Sequence, residues 1–318
     1  MTFDADSHVE ESAQTWKYLD EKFVRRRPIP ITLEDQPALL GQNSFWLIDG
    51  AVVPRTSGKG LSLFGTPATS RHAREKPFSI GSQELTDVDA RIRDLDKFGI
   101  HTQIINSTLL NATLSPDIDF EYGLCRAYNT WVHEICEQSS GRLRWNAMLR
   151  LTHIEKALEE LRRVEALGAA AAEIHGMAGD KLLDSREFDP FWSEAERLNT
   201  PIYVHIGFES PAFTGLFQNL FMSIAFSNRA SLLMGFLAIV GTGVAEGFRA
   251  CALLLPKPAS NGCRGSRMSW TLTGAWGRAS LRTIPALAIL EPNPARSFAK
   301  ATFTLSAKKT KTYAGRWS

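Results

Sequence analysis

Short apolar segments alternate with helical segments along the first two thirds of the chain, and this pattern constrains the fold more than any other feature. Apolar segments of strand length cover residues 2–5, 100–106, 143–149, 169–174 and 201–205. Segments with apolar residues at helical spacing cover 86–99, 116–137, 152–168 and 187–198. Because a helix falls between nearly all of the strands, the pattern predicts βαβ units and a parallel sheet.

The predicted architecture is an α/β fold, specifically a (β/α)8 TIM-like barrel, with a doubly wound open sheet as the alternative. No glycine-rich phosphate loop follows any predicted strand, which disfavours a nucleotide-binding sheet. Two helix starts are predicted from Thr86 as an N-cap and from the capping box Thr152-x-x-Glu155. Two helix ends are predicted at Gly99 and Gly168.

Side chains that can bind a metal ion follow several of the predicted strands. Asp6 and His8 end the first strand, His175 ends a middle one and His205 ends the next. Alternate residues of a strand point the same way, so Asp4, Asp6 and His8 are expected to share a face. The strand ends of a barrel open onto one face, so the sequence predicts a divalent metal ion held by Asp6, His8 and His205.

Structural interpretations of the same residues remain open at this point. An N-terminal Asp-x-His is also typical of a solvated turn, and a lone strand-end histidine such as His205 is often structural. His175 is interpreted as a substrate-binding residue, with a structural role as the alternative. A metal ion here would lower the pKa of a bound water or polarise a substrate carboxylate or carbonyl.

Several motifs resemble one enzyme family. They are Asp4–Glu11, Arg91–Ile100, Ala127–Trp131, Glu160–Arg163 and Pro201–His205. Over about residues 2–240, the chain resembles the amidohydrolase-related family that includes aminocarboxymuconate-semialdehyde decarboxylase. The resemblance implies a distorted barrel with one divalent metal ion, commonly Zn²⁺ and sometimes Mn²⁺. It implies hydrolysis or non-oxidative decarboxylation of a small organic acid or an aromatic ring-cleavage product.

The resemblance also assigns residues to the metal. Asp6-Ser7-His8 corresponds to the H-x-H or E-x-H of the first strand in the family, and His205 to the metal histidine of the fifth strand. Glu11 matches an acidic residue often found just after the first motif, and it is included among the candidate metal ligands.

The chain departs from the family pattern in its last third. The family usually carries a further histidine and a late aspartate, but no histidine follows His205 and no aspartate follows Asp189. The segment Gly235–Gly243 resembles the sixth-strand motif without its usual glutamate. The catalytic residue therefore stays unassigned.

The balance of acidic and basic residues also changes in the last third of the chain. Only two of the 34 acidic residues lie beyond residue 209, against 13 of the 36 basic residues. We interpret residues 1–240 as the barrel, with a long irregular insert at about 12–80, and 241–318 as an atypical basic tail translated out of frame. A genuine basic module is the alternative for the tail. The alternative for function is a catalytically inactive, truncated or frameshifted family member.

The remaining expectations concern location and partners. The net charge of +2 predicts no nucleic-acid partner, and the apolar run 231–245 is too short to cross a bilayer, so no membrane is expected. Four cysteines without a C-x-x-C pair, and an acidic N-terminus without an apolar signal region, predict a cytoplasmic protein. A small-molecule substrate and a homodimer are implied by the resemblance.

Overall fold

A computed structural model of the chain describes residues 2–32, 44–54, 79–216, 220–248 and 251–254. The strands are β1 (Phe3–Val9), β2 (Ile29–Thr32), β3 (Ser44–Ile48), β4 (Ala51–Pro54), β5 (Thr102–Ser107), β6 (Leu143–Met148), β7 (Ala171–His175), β8 (Met177–Ala178), β9 (Lys181–Leu182), β10 (Ile202–His205) and β11 (Leu253–Leu254). The helices are α1 (Ile80–Gln83), α2 (Val88–Lys97), α3 (Ile118–Glu137), α4 (Ile154–Ala166), α5 (Asp189–Leu198), α6 (Pro211–Thr214), α7 (Leu220–Gly241) and α8 (Val244–Gly247). Short 3₁₀ helices cover Thr15–Tyr18, Glu21–Arg26, Leu109–Asn111 and Arg186–Phe188.

The main sheet has six strands in the order β1-β5-β6-β7-β10-β11, and every neighbouring pair is parallel. Three strands separate β1 from β10 in this order, yet the rings of His8 and His205 are only 5.1 Å apart. The sheet must therefore curl until its first and fifth strands face each other. This arrangement confirms the predicted α/β barrel class, and over the described residues the barrel is incomplete.

One hydrophobic core joins the sheet to its helices. Trp131 of α3, Leu161 of α4 and Trp192 of α5 are buried in the same cluster as Ile105 and Ile174 of the strands. Full burial of a large apolar side chain contributes about 1.5–3 kcal/mol relative to exposure. The helices thus pack against the curled sheet through one continuous apolar core.

The helix ends agree with the sequence better than the helix starts do. Gly99 and Gly168 follow α2 and α4 with φ angles of +64° and +85°, as predicted for helix stops. The N-cap of α2 is Asp87 rather than Thr86, since the Asp87 side chain accepts a hydrogen bond from the Ala90 amide. The N-cap of α4 is His153, and its side chain makes no capping hydrogen bond. The predicted capping box that starts at Thr152 is therefore wrong.

The predicted irregular insert is ordered where the structure describes it. Residues 15–26 form two 3₁₀ helices, and β2, β3 and β4 form an antiparallel sheet. Arg26 pairs with Asp49 and with Asp117 at the start of α3, which fixes this small sheet to the barrel. The insert residues 33–43 and 55–78 lie outside the described part of the chain.

The expected sixth strand is a helix instead. Residues 235–241, which resemble a strand motif, complete the long helix α7. A Cβ atom on Gly235 would meet the backbone of Gly176, and one on Gly176 would meet the backbone of Ser231, so these glycines allow α7 to cross close to β7. The tail from 255 onward lies outside the described residues, and its proposed frame change stays a prediction. Within the described part, no helix is both long and apolar enough to span a membrane.

Candidate metal centre

The three predicted strand-end ligands come together. One ligand atom each from Asp6, His8 and His205 lies within 4.8 Å of the other two. Asp6 Oδ1 is 3.9 Å from His8 Nε2 and 3.5 Å from His205 Nε2. Asp6 is half-exposed, whereas both imidazoles are buried. The cluster therefore sits where a substrate could reach one side of it.

A bulge in β1 decides which side chains face this cluster. Asp4 pairs with Gln103 and Ser7 with Ile105, so three steps on β1 match two on β5. The Asp4 carboxylate consequently lies beside Gln103 and accepts a hydrogen bond from its Nε2. The prediction that Asp4 shares a face with Asp6 and His8 is wrong, because the extra residue reverses the alternation.

Each imidazole has its Nδ1 atom engaged. His8 Nδ1 lies 2.8 Å from the Ser107 carbonyl oxygen, which can only accept, so this nitrogen carries the proton. His205 Nδ1 lies 3.1 Å from Asn111 Oδ1 and 3.3 Å from Glu173 Oε1. Both rings therefore present an unprotonated Nε2 to Asp6 when neutral, which is the usual arrangement of a metal-binding histidine.

The charges of the cluster depend on one another. Burial alone would raise the pKa of the Asp6 carboxyl, but the hydrogen bond and charge of His205 hold it well below its usual range. Burial lowers the pKa of His8 to about 4. Burial would also lower the pKa of His205, but the carboxylates of Glu173 and Asp6 outweigh it and raise that pKa. At neutral pH the cluster holds an ionised carboxylate and a neutral imidazole at His8, both competent ligands.

Sequence reasoning missed Glu173, which lies behind His205 on β7. Its side chain is fully buried, and burial raises its pKa to about 7 against the opposing charge of His205. The sequence predicts segment 169–174 only as a small apolar strand. The available signal was a glutamate inside that apolar strand, two residues before His175 and therefore on the same face.

Glu11 does not join the three-residue cluster. Its carboxylate accepts hydrogen bonds from the Ser107 hydroxyl and from the amides of Thr108 and Leu109. These contacts fix the end of β5 and the loop after it. The carbonyl of Ser107, the last residue of β5, also accepts a hydrogen bond from the ring of His8. A direct role of Glu11 in holding the metal stays a prediction.

His175 belongs to a separate buried network beside the cluster. Its Nδ1 lies 3.1 Å from Arg150 Nη1 and 3.0 Å from Glu209 Oε2, and its Cα pairs with that of His205 on the next strand. Burial lowers the pKa of His175 to about 4, against the opposing hydrogen bond to Glu209. Its Nε2 is buried without a hydrogen-bond partner in the described structure. Arg150 also pairs with Glu121, so the ring is held from behind.

The donor set fits a divalent metal ion. One carboxylate and two imidazoles are ligands that Zn²⁺ and Mn²⁺ both accept. The decisive observation is that both Nδ1 atoms have acceptors while both Nε2 atoms face Asp6. Tyr203 donates a hydrogen bond to Asp6 Oδ1 at 2.9 Å and orients that carboxylate.

Comparisons with known proteins show what part of the chain has recognisable relatives. Residues 108–240 match the family model described as amidohydrolase. A gamma-resorcylate decarboxylase from Rhodococcus jostii is 30% identical over 132 residues, covering 38% of this chain and 40% of the relative. One from a Rhizobium species is 32% identical over 129 residues, covering 38% and 39%. The chain thus matches about 40% of the length of these curated relatives.

Solved structures extend the likeness in fold. An amidohydrolase from Mycobacterium avium subsp. paratuberculosis superposes with a TM-score of 0.58 at 18% identity, covering 79% of this chain and 71% of that one. A 5-carboxyvanillate decarboxylase from Novosphingobium aromaticivorans, with bound manganese, gives 0.53 at 17% identity, covering 80% and 64%. These two likenesses concern the fold alone. Residues 108–240 are thus similar in sequence to the amidohydrolase family model, and the described residues share the fold of these two solved structures.

Proposed function

We propose that this chain is a divalent-metal-dependent carboxy-lyase that removes CO₂ from a hydroxylated aromatic acid. The observation that carries the proposal is the cluster of Asp6, His8 and His205, with both imidazoles held in the tautomer that binds metal. Zn²⁺ and Mn²⁺ both suit this donor set. The manganese named with the 5-carboxyvanillate decarboxylase makes Mn²⁺ the first ion to test.

The substrate class is supported by the relatives. The curated proteins that match are gamma-resorcylate decarboxylases, which act on a dihydroxylated benzoate. Such a substrate offers a carboxylate and a neighbouring phenol oxygen, a pair of oxygens suited to one cation. Hydrolysis of a small organic acid derivative is the other reaction that the family resemblance implies.

The residues of the site would have different roles in this reaction. Asp6, His8 and His205 would hold the ion, which would supply positive charge to orient the substrate oxygens. His175 would contact the substrate through Nε2, the ring nitrogen without a partner, while Arg150 and Glu209 fix the ring. The buried strands around these side chains would exclude water, which strengthens each polar contact with the substrate.

The first experiment measures metal content and turnover on the full chain. Purified protein is loaded with Mn²⁺ or Zn²⁺, analysed by elemental analysis, and incubated with 2,6-dihydroxybenzoate while product is followed by chromatography. We expect about one ion per chain, lost in His205→Ala and retained in His101→Ala, whose side chain is exposed and outside the cluster. Absence of metal from folded wild-type protein would refute the proposal.

The remaining outcomes separate the alternatives. Metal uptake without turnover of hydroxybenzoates, but with hydrolysis of an ester or lactone, would favour the hydrolase. Metal uptake with neither reaction would favour the inactive family member. The homodimer implied by the resemblance is tested in the same preparation by sedimentation equilibrium.

A further inference from the structure

Arg91 of α2 is buried against the bulge of β1. Its side chain reaches from the helix into the sheet, and the residue is only 3% exposed. Nη2 lies 3.1 Å from both Ser7 Oγ and the carbonyl oxygen of His8, and Nη1 lies 3.1 Å from the carbonyl oxygen of Ser82. The guanidinium thus binds the main chain of a candidate metal ligand directly.

Gln103 of β5 extends this contact to the other side of the bulge. Arg91 Nε donates to Gln103 Oε1 at 2.8 Å, and Gln103 Nε2 donates to Asp4 Oδ2 at 2.9 Å. The bulge lies between Asp4 and Ser7. The pair of side chains therefore holds β1 before the bulge through Asp4 and after it through Ser7 and His8.

The arrangement is costly, which points to a specific role. Burial lowers the pKa of Arg91 to about 10, so the guanidinium keeps its charge at neutral pH. The partners that it contacts are a side-chain amide, a hydroxyl and two main-chain carbonyls. These hydrogen bonds and the nearby charges of Asp4 and Asp94 together offset the desolvation of the charged group. Only the planar fork of arginine offers donors in these directions at once, and lysine would not.

We propose that Arg91 and Gln103 form a clamp that fixes the β1 bulge and thereby aims Asp6 and His8 together at His205. The inference rests on the proposed metal function and deepens it, because it assigns positioning residues that touch no substrate. Without the clamp, β1 could pair with β5 without the extra residue. Regular alternation would then turn the side chain of Ser7, which now contacts Arg91, to the other face of the sheet. The same change would disturb the orientation of both ligands, Asp6 and His8.

The test uses Arg91→Met, Arg91→Lys and Gln103→Leu in the full chain. Asn129→Ala is the matched control, since Asn129 is equally buried and holds the main chain of Met148 and the Glu160 carboxylate on α4. Metal dissociation constants are measured by chelator competition, and unfolding free energies by urea titration. The ¹⁵N signals of the His8 ring are recorded in metal-free protein, with a His8→Gln sample for assignment.

We expect Arg91→Met and Gln103→Leu to weaken metal binding roughly 10- to 100-fold, the range found when residues that orient metal ligands are removed. Arg91→Lys should bind the metal no more tightly than Arg91→Met does. In metal-free protein both variants should mix the two tautomers of His8, whereas wild type and Asn129→Ala keep Nδ1 protonated. Gln103→Leu, unlike Arg91→Met, removes no charged side chain, so it tests the clamp even where Arg91→Met fails to fold.

The clamp would be overturned if the His8 signals of Gln103→Leu matched wild type and its metal affinity fell no further than that of Asn129→Ala. A wild-type chain that takes up no metal would overturn the proposed function separately. In that case only the His8 ring signals of the metal-free proteins test the clamp proposal. Signals in Gln103→Leu that match the wild type would overturn it.

Discussion

Replacing Glu173 by glutamine tests whether the buried carboxylate behind His205 strengthens that residue as a metal ligand. Glu173 Oε1 lies 3.3 Å from His205 Nδ1, and the side chain is fully buried. Glutamine keeps the size of the side chain but removes its negative charge. The imidazole then loses the partner that makes its Nε2 more basic and therefore a better ligand.

The magnitude follows from the hydrogen-bond acceptor that remains at the same nitrogen. Asn111 Oδ1 lies 3.1 Å from His205 Nδ1 and still orients the ring in Glu173→Gln. We therefore expect the low end of the usual range, a loss of roughly tenfold in metal affinity or about 1.4 kcal/mol. The double variant with Asn111→Leu removes both the charged carboxylate and the hydrogen-bond acceptor, and it should lose roughly 100-fold in metal affinity.

Two measurements on each variant decide the matter. Chelator competition gives the metal affinity, and urea unfolding without metal gives the stability, which should not fall because burying a carboxylate is itself costly. Glu160→Gln is the matched control, a buried carboxylate on α4 that binds Asn129 and Arg163 instead. Unchanged affinity in both Glu173 variants, or an equal loss in Glu160→Gln, would refute the reasoning.

Three further predictions concern the surroundings of the site. Arg150→Met should lower the unfolding free energy by about 3–5 kcal/mol in urea titration, because it leaves the buried Glu121 carboxylate, now 2.9 Å from the guanidinium, without its ion pair. The pKa of His175 is lowered from 6.5 to about 4, so the unfolded state binds more protons than the folded state between these pH values. The unfolding free energy of the wild type should therefore fall as the pH drops through this window, by up to about 3 kcal/mol more than that of His175→Gln. Gly176→Ala should cost about 3 kcal/mol in thermal unfolding, because its Cβ would meet the carbonyl of Ser231 in α7, and an unchanged melting temperature would contradict the close crossing.

Periodicity explains what the sequence could predict. The alternation of strands and helices depends on local spacing, and a parallel sheet places all strand ends on one side. The sequence alone therefore groups Asp6, His8 and His205. The helix stops at Gly99 and Gly168 were predictable because glycine readily adopts the left-handed conformation found there.

Features that depend on contacts distant in sequence could not be predicted. The β1 bulge reverses the side of Asp4, and nothing in the local sequence marks it, since it depends on pairing with β5. Glu173 is the only acidic residue of its strand, and only its contact with His205 relates it to the candidate metal site. The predicted sixth strand failed because α7 continues through it and packs against Gly176.

The centre also bears on how an incomplete barrel keeps its curl. In the described residues, no strand ladder joins β1 to β10, although a closed barrel would link all of its strands around the axis. The contact between them is made instead by Tyr203, which bonds Asp6, and by His205, which faces Asp6 and His8. A metal ion bound to the cluster would join the same two strands, and because that geometry exists only in the folded chain, its binding free energy would add to stability. The site and the closure of the sheet therefore depend on the same side chains, and a change that opens the sheet should weaken metal binding as directly as the loss of a ligand.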